Sequence, residues 1–370
     1  MNSEKPIIKV GIVAGEYSGD RLGAKIISAL KKTHHNVELY GVGGPKIISE
    51  GLTSIFNFEK LHLMGLIDPL INYIELRKLR KQLINLFIQN KIDYFIGIDS
   101  PDFNIGIHKA LKNIGKSKNI QVVSPSVWGW REGRIKQIKN FIDLTMCLFN
   151  FEDNFYKKKE MPSIHMGHPF CDLYPSKKED VFQKYSLSPH KQFVSVLPGS
   201  RKSEIKDLLP TYIDFIKLHF KENVNYEYLI PASDTKIMEL ISSYIPSSLP
   251  IRVEINSTRD FLSISEFSVV TSGTATLESA ILGVNPIICY KTKPLNFFII
   301  SRMLKVDDVG LPNLLLGSRK FPELIQRNCN AKSILNASEN ISNMQSMSEQ
   351  LRELLVGTKE EDYIKQILEL

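Results

Sequence analysis

Val270-Thr271-Ser272-Gly273-Thr274-Ala275-Thr276-Leu277-Glu278 is the stretch that decides how this chain is read. A β-branched run ends in a Ser-Gly-Thr turn, and a helix of small residues follows with a glutamate one turn in. A parallel sheet presents backbone N–H groups and a helix N-terminus to an anion in this way, at its carboxyl edge. Hydroxyls at Ser272, Thr274 and Thr276 add donors, and Glu278 stands within reach of a sugar diol. The competing reading is an ordinary strand–helix turn with a capping serine. This segment alone does not separate the two.

Outward from it, the same strand-then-helix pattern repeats along the chain. Residues 7–14 read as a buried strand, and 20–32 as a helix with Leu22, Ile26, Ile27 and Leu30 on one face. Residues 37–40, 94–98 and 121–124 read as further strands with helices between them. A second series, 193–197, 227–230, 251–254, 268–271 and 286–289, begins after the polar, proline-marked Tyr174-Pro175-Ser176. Residues 331–350 are polar and hold an amphipathic helix, and 351–370 read as helical and amphipathic. Alternation of this kind predicts two α/β domains, each a doubly wound parallel sheet, and 370 residues suffice for two cores.

Composition narrows the class. With 43% hydrophobic and 24% charged residues the chain reads as a soluble globular protein. Met1-Asn2-Ser3-Glu4-Lys5-Pro6 does not have the pattern of a signal peptide. No uncharged apolar run reaches the roughly 18 residues that span a bilayer. Cys147, Cys171, Cys289 and Cys329 are scattered, with no CxxC and no metal-like grouping with histidine, which predicts reduced thiols in a cytoplasmic protein. The net charge of +7 is unevenly placed: residues 1–172 hold 24 Lys and Arg against 17 Asp and Glu, while 173–370 hold 23 against 23. The N-terminal half is therefore the one expected to face an anionic partner, whether nucleic acid, phospholipid or a phosphorylated substrate.

Several strand ends carry residues suited to chemistry. Gly15-Glu16-Tyr17-Ser18-Gly19-Asp20 opens the first helix, with Ser18 or Asp20 as its cap; neither it nor Gly41-Val42-Gly43-Gly44 matches the dinucleotide fingerprint, so both are read as loop-shaping. Gly97-Ile98-Asp99-Ser100-Pro101-Asp102 ends an apolar strand, where Asp99 is placed to act as a general base on a hydroxyl and Asp102 as a cap or orienter. Ser124-Pro125-Ser126-Val127-Trp128-Gly129-Trp130-Arg131 holds both tryptophans, which with Arg131 and Arg134 suit a sugar or acyl platform with phosphate contacts. Pro198-Gly199-Ser200-Arg201 offers backbone donors and a guanidinium fork to a diphosphate. The role of His168 is left open. Leu76, Leu79, Leu83 and Leu86, beside Arg77, Arg80 and Lys81, form a stripe that either lies on an anionic membrane or packs on the domain core.

Taken in order, residues 14–20, 41–45, 64–65, 97–104, 124–130, 197–204, 272–278, 290–294 and 311–315 resemble the lipid-A-disaccharide synthases, inverting nucleotide-sugar glycosyltransferases of the two-domain GT-B type. The resemblance covers about residues 1–326, and the tail is less distinctive. It implies two Rossmann-like, doubly wound domains facing a central cleft. Residues 1–172 would take the acceptor and face the membrane, and 173–345 would bind the UDP-sugar. A helical tail, 346–370, would pack on the N-terminal domain or be exchanged in a dimer.

The implied reaction joins UDP-2,3-diacylglucosamine to 2,3-diacylglucosamine 1-phosphate (lipid X), giving the β-1,6-linked lipid A disaccharide 1-phosphate and UDP. Asp99 would deprotonate the acceptor 6-hydroxyl. Gly199, Ser200, Arg201, Ser272, Gly273 and Thr274 would hold the departing diphosphate and Glu278 the ribose, while Tyr290, Lys293 and Asn313 would line the donor pocket. Gly15, Glu16, Ser18, Asp102, Ser126, Trp128 and Trp130 would form the acceptor side. No metal and no cofactor are implied. The family resemblance also implies peripheral attachment to anionic phospholipid at the cytoplasmic face of the inner membrane, and a homodimer. The basic half raises a non-catalytic binder of nucleic acid or lipid as a rival; the two phosphate-type turns in the neutral half argue against it. A different UDP-sugar enzyme of the same fold, an epimerase or a peptidoglycan glycosyltransferase, is disfavoured by 97–104 and 124–130.

Overall fold

The structure, a computed structural model, describes residues 6–34, 36–61, 73–125, 133–291, 308–341 and 346–370. The chain divides into two compact units, residues 1–168 with 356–370, and residues 169–355.

The first unit is built on β1 (Ile8–Ala14), β2 (Val37–Val42), β3 (Thr53–Ser54), β4 (Tyr94–Ile98), β5 (Lys118–Val122), β6 (Leu144–Cys147) and β7 (Ser163–His165). Its helices are α1 (Tyr17–Thr33), α2 (Pro45–Ser49), α3 (Tyr73–Asn90), α4 (Pro101–Ile114), α5 (Gly133–Phe141) and α6 (Asn150–Lys157). The sheet order is β3-β2-β1-β4-β5-β6-β7, all parallel, so the direction of winding reverses between β1 and β4. Runs rich in valine and isoleucine such as 8–14 form the central strands because helices cover both faces of the sheet; Lys9, near the start of β1, is half-buried and the rest of the strand is buried. Residue 14 pairs with 98, which brings the loop after β1 beside the loop after β4.

The second unit carries β8 (Gln192–Leu197), β9 (Tyr226–Ala232), β10 (Ile251–Ile255), β11 (Phe267–Thr271), β12 (Asn285–Tyr290) and β13 (Glu323–Ile325). Helices α7 (Lys178–Tyr185), α8 (Lys202–Glu222), α9 (Thr235–Ser242), α10 (Thr258–Ile264), α11 (Thr274–Ile281), α12 (Leu311–Leu316), α13 (Ala331–Ile341) and α14 (Ser348–Leu355) surround them. The order is β10-β9-β8-β11-β12-β13, again parallel, with the reversal between β8 and β11. Its core joins Val194, Val196, Leu208, Tyr212, Phe215, Tyr228, Val269 and Ile287.

Two local expectations are corrected, and one left open is decided. The strand expected at 121–124 stops at Val122, because Val123 takes φ 67° and leaves the extended region. The helix expected over 351–370 is broken: α14 ends at Leu355 and α15 (Glu360–Leu368) returns to the first unit. At the break Thr358 N–H donates to His165 O at 2.8 Å, and Gly357 packs so closely that a Cβ there would stand 2.1 Å from the backbone N of Gly167. The leucine stripe of α3 belongs to the core rather than to a membrane: Leu79, Leu83 and Phe87 are buried against Phe95, Phe103 and Ile107, with Leu76 and Leu86 packed on that cluster. What α3 leaves outside includes Ile74, Arg77, Lys78 and Lys81, together with Glu75, Gln82, Asn85, Ile88 and Gln89. No helix among the described residues is long and apolar enough to cross a membrane.

Candidate active site

In the second unit the carboxyl ends of β8, β9, β10 and β11 surround a cavity of about 520 Å³. It opens at the strand reversal, where doubly wound sheets leave a crevice for ligands. One wall is Pro198-Gly199-Ser200-Arg201, leading into α8. Gly199 takes φ +101°, and a Cβ there would meet Glu204 Oε2 at 2.5 Å, so both backbone and space demand glycine. Glu204 reaches back to the Arg201 N–H and guanidinium, each at 3.4 Å. These are long contacts, and the arginine side chain is two-thirds exposed (66%), so an anion in the cavity can compete for it.

The opposite wall is Thr271-Ser272-Gly273-Thr274-Ala275, with Glu278 one turn into α11. Here the structure corrects part of the sequence reading. Ser272 N–H already donates to Cys289 O at 2.8 Å, and its hydroxyl donates to Val309 O at 2.9 Å. The Thr276 hydroxyl is spent on Gly273 O at 2.8 Å. Donors for an anion are therefore the first N–H groups of α11, at 273–275, which have no partner inside the helix. Among the described residues, a Cβ added at Gly273 would find only Thr271 O, 4.0 Å away, and nothing covers this helix end.

Asn313 is corrected as well. It is fully buried, Nδ2 donates to Phe321 O and Glu323 Oε1, and Oδ1 accepts from Lys320 and Phe321 N–H. With both ends of its amide engaged inside the protein, it braces a loop and does not line the cavity. Tyr290 ends β12 and is not among the lining residues; Lys293 lies outside the described residues. Ser233, Asn256 and Thr258 line the cavity and were not foreseen. Asn256-Ser257-Thr258 follows a strand, and Asn256 takes φ 55°, a conformation asparagine tolerates; that turn was legible.

In the first unit the loops after β1 and β4 meet at the other strand reversal. Gly15 and Glu16 stand beside Asp99 and Ser100 through the 14–98 pairing. Glu16 occupies the N-cap position of α1, and exposed Ser18 lies in its first turn. The expected capping role of Asp20 is redirected: its buried carboxylate accepts from Gly44, Lys46 and Ile47 N–H at 2.9, 2.8 and 3.0 Å, closing the N-terminus of α2 instead. The Asp20 carboxylate thus fills the anion position at the end of the 41–44 loop, in keeping with a loop-shaping role for these glycines.

Asp99 and Ser100 are consecutive non-glycine residues at φ 49° and 41°. Such paired departures cluster at functional sites. Burial pushes the Asp99 carboxyl up from its ordinary value, opposed by a smaller pull from the Ser100 N–H. A carboxylate so raised is a better proton acceptor. Asp102 is exposed and ion-paired with Arg134, while its carbonyl accepts from Arg80 at 3.1 Å; it belongs to a surface network, and Arg134 has a protein partner in place of the expected phosphate. Ser126, Trp128 and Trp130 lie outside the described residues. His168 is buried in stacking contact with Phe149, ring centroids 5.4 Å apart, and burial holds its imidazole near pKa 4. Among the described residues no group of His, Cys, Asp and Glu could hold a metal.

A family model described as lipid-A-disaccharide synthetase matches residues 10–367. The chain is 34% identical to lipid-A-disaccharide synthase of Acinetobacter baylyi, over 98% of this chain and 97% of that one. It is 36% identical to the synthase of Saccharophagus degradans, over 90% and 87%. Among solved structures it is similar to the Staphylococcus aureus MnaA–UDP complex, with TM-score 0.62, 12% identity, and 98% and 95% of the two chains covered. Acinetobacter baumannii MurG gives TM-score 0.55 at 12% identity, over 98% and 100%. At that identity the solved structures speak for the GT-B fold alone, while the sequence relatives and the family model speak for kinship. The chain belongs to the lipid-A-disaccharide synthase family, glycosyltransferases of lipid A biosynthesis.

Proposed function

We propose that this chain transfers the sugar of UDP-2,3-diacylglucosamine to the 6-hydroxyl of 2,3-diacylglucosamine 1-phosphate, releasing UDP. The observation that carries the donor side is the cavity at 197–204 and 271–278, where Arg201 and the α11 N-terminus converge at the sheet reversal. Arg201, Gly199, Ser200, Gly273 and Thr274 take the diphosphate, and Glu278 takes the ribose. Tyr290, Ser272 and Asn313 support these loops. Asp99 accepts the proton of the acceptor hydroxyl as its oxygen attacks the anomeric carbon in line. The bond from that carbon to the UDP oxygen breaks, and the electron pair leaves on the diphosphate. Guanidinium and helix-end N–H groups stabilise that growing charge without reorganising, so the reading requires no metal. Gly15, Glu16 and Ser18 stand at the same strand reversal as Asp99 and bound the acceptor.

The acceptor and product carry acyl chains, which points to work at a lipid surface. The exposed face of α3, with Arg77, Lys78 and Lys81 around Ile74, and the excess of basic residues in 1–172 are suited to anionic phospholipid at the inner membrane's cytoplasmic face. Binding to anionic vesicles should weaken as salt rises; binding indifferent to salt removes this face from the role. The chain is proposed to act as a homodimer.

Calorimetric titration with UDP, paired with turnover of Asp99→Asn, tests the division of labour. The variant is expected to bind UDP as wild type does and to lose turnover by roughly 100-fold or more, the scale of a positioned base. Normal turnover in Asp99→Asn removes Asp99 from the base role, and failure of the wild type to bind UDP removes the cavity from the donor role.

A further inference from the structure

Beneath Asp99 lies a layer of buried amides that the reaction as described does not use. Asn104 on α4, Gln121 on β5 and His108 on α4 are each at most 1% exposed. Asn104 Nδ2 donates to Asp99 O at 2.8 Å and approaches Ile98 O at 3.4 Å. Gln121 Nε2 reaches three carbonyls, Asp99 O at 3.2 Å, Val122 O at 3.0 Å and Val123 O at 3.3 Å. The residues so gripped include Asp99 and Val123, at φ 49° and 67°, and Ser100, at 41°, follows directly. All three are non-glycine residues in the left-handed region, a conformation that persists only where surroundings impose it.

His108 completes the layer. Its Nε2 lies 3.1 Å from Gln121 Oε1. Because the Gln121 NH₂ faces the carbonyls, its oxygen must accept, and His108 Nε2 must carry the proton. The ring is held neutral by burial, near pKa 4, and packs edge-on to Phe95 at 4.7 Å. Asn104 Oδ1 and His108 Nδ1 find no hydrogen-bond partner among the described residues. An apolar layer of similar volume would avoid burying those two atoms unsatisfied. Gly97 keeps the layer flush against β4: a Cβ there would stand 3.0 Å from His108 Nε2 and 3.1 Å from Asn104 Cβ.

We infer that Asn104, Gln121 and His108 are positioning residues for the base: His108 orients the Gln121 amide, and Gln121 with Asn104 clamps the Asp99 carbonyl so that the left-handed turn aims the carboxyl at the acceptor. The inference rests on Asp99 being the base.

The test is steady-state kinetics of the full chain on UDP-2,3-diacylglucosamine and lipid X. Variants are Gln121→Met, Asn104→Asp, His108→Leu and His108→Gln, each with its UDP affinity and melting temperature. Gln121→Met and His108→Leu are expected to lower kcat about 10- to 100-fold, with KM for both substrates within about 3-fold and UDP affinity unchanged. His108→Gln, whose amide nitrogen reaches the place of imidazole Nε2, should restore most of the turnover lost in His108→Leu. Should the apolar variants not fold, Asn104→Asp carries the test; it keeps the volume, removes the donor to Asp99 O, and should cost about 10-fold in kcat. Wild-type kcat in folded Gln121→Met or Asn104→Asp, while Asp99→Asn is inactive, overturns the positioning role and leaves the base reading intact. Wild-type kcat in Asp99→Asn overturns both.

Discussion

Two glycines on facing walls of the cavity should respond in opposite ways to the same added methyl. At Gly199 the backbone sits at φ +101° and a Cβ would press on Glu204 Oε2 at 2.5 Å. Left-handed backbone costs a side-chain-bearing residue about 1–2 kcal/mol, and moving Glu204 adds to it, so Gly199→Ala should lose about 2 kcal/mol. For a unit near 190 residues that is a fall in melting temperature of about 4–8 °C. At Gly273 the φ of 161° is extended backbone, and the nearest atom to a new Cβ is Thr271 O at 4.0 Å. Gly273→Ala should therefore keep its stability or gain up to about 1 kcal/mol from a stiffer unfolded chain. Its methyl, however, stands where a diphosphate must approach the α11 N–H groups. Losing one hydrogen bond to a charged group costs about 1.5–3 kcal/mol, or roughly 10- to 150-fold in UDP affinity. Scanning calorimetry and UDP titration on both variants read the two effects separately. UDP bound as tightly by Gly273→Ala as by wild type would refute the placement of the diphosphate on that helix end.

Asp20→Ala leaves three N–H groups at the start of α2 without an acceptor, those of Gly44 and Ile47 buried and that of Lys46 partly so. It should cost about 3–5 kcal/mol in urea unfolding, with Asp20→Asn intermediate; a loss under about 1 kcal/mol would contradict the cap. Because burial raises the Asp99 carboxyl, the acid limb of kcat/KM should lie above the ordinary aspartate range. Activity falls as pH drops through that raised value, since the base must be ionised; a limb at or below the ordinary range would contradict a buried base. His108 is held near pKa 4 when folded, against 6.5 for a free imidazole. Its stabilising share is present above pH 6.5 and is lost as pH falls toward 4. Between pH 7 and 4.5 His108→Gln should lose about 2–3 kcal/mol less stability than wild type. Equal losses would show that His108 protonates freely in the folded protein.

The fold was legible because parallel strands covered on both faces read as largely apolar runs, as in 8–14, 94–98 and 267–271, broken only by Lys9, Ser268 and Thr271. What escaped were β3, β6, β7 and β13, of two, four, three and three residues, too short to show a pattern. The break at Gly357 escaped too, because it answers to Gly167, distant in sequence. That Asp99 follows directly on a strand end was legible. The layer under it was not: Asn104, His108 and Gln121 meet only when α4 packs across β4 and β5, and no local spacing announces that. Asn313 was misread for the same reason, since a motif shows that an asparagine is present and not which way its amide faces. Ser272 kept its place in the cavity wall but not its donors, because Cys289 and Val309 claim them from other parts of the chain. The stripe on α3 had two readings, and the core took it.

The most direct measurement incubates the purified chain with UDP-2,3-diacylglucosamine and lipid X in detergent, with a metal chelator present, and follows both products by mass spectrometry. The account predicts β-1,6-linked disaccharide 1-phosphate and UDP in equal amounts. UDP-sugar left intact beside lipid X, with no disaccharide formed, would contradict it.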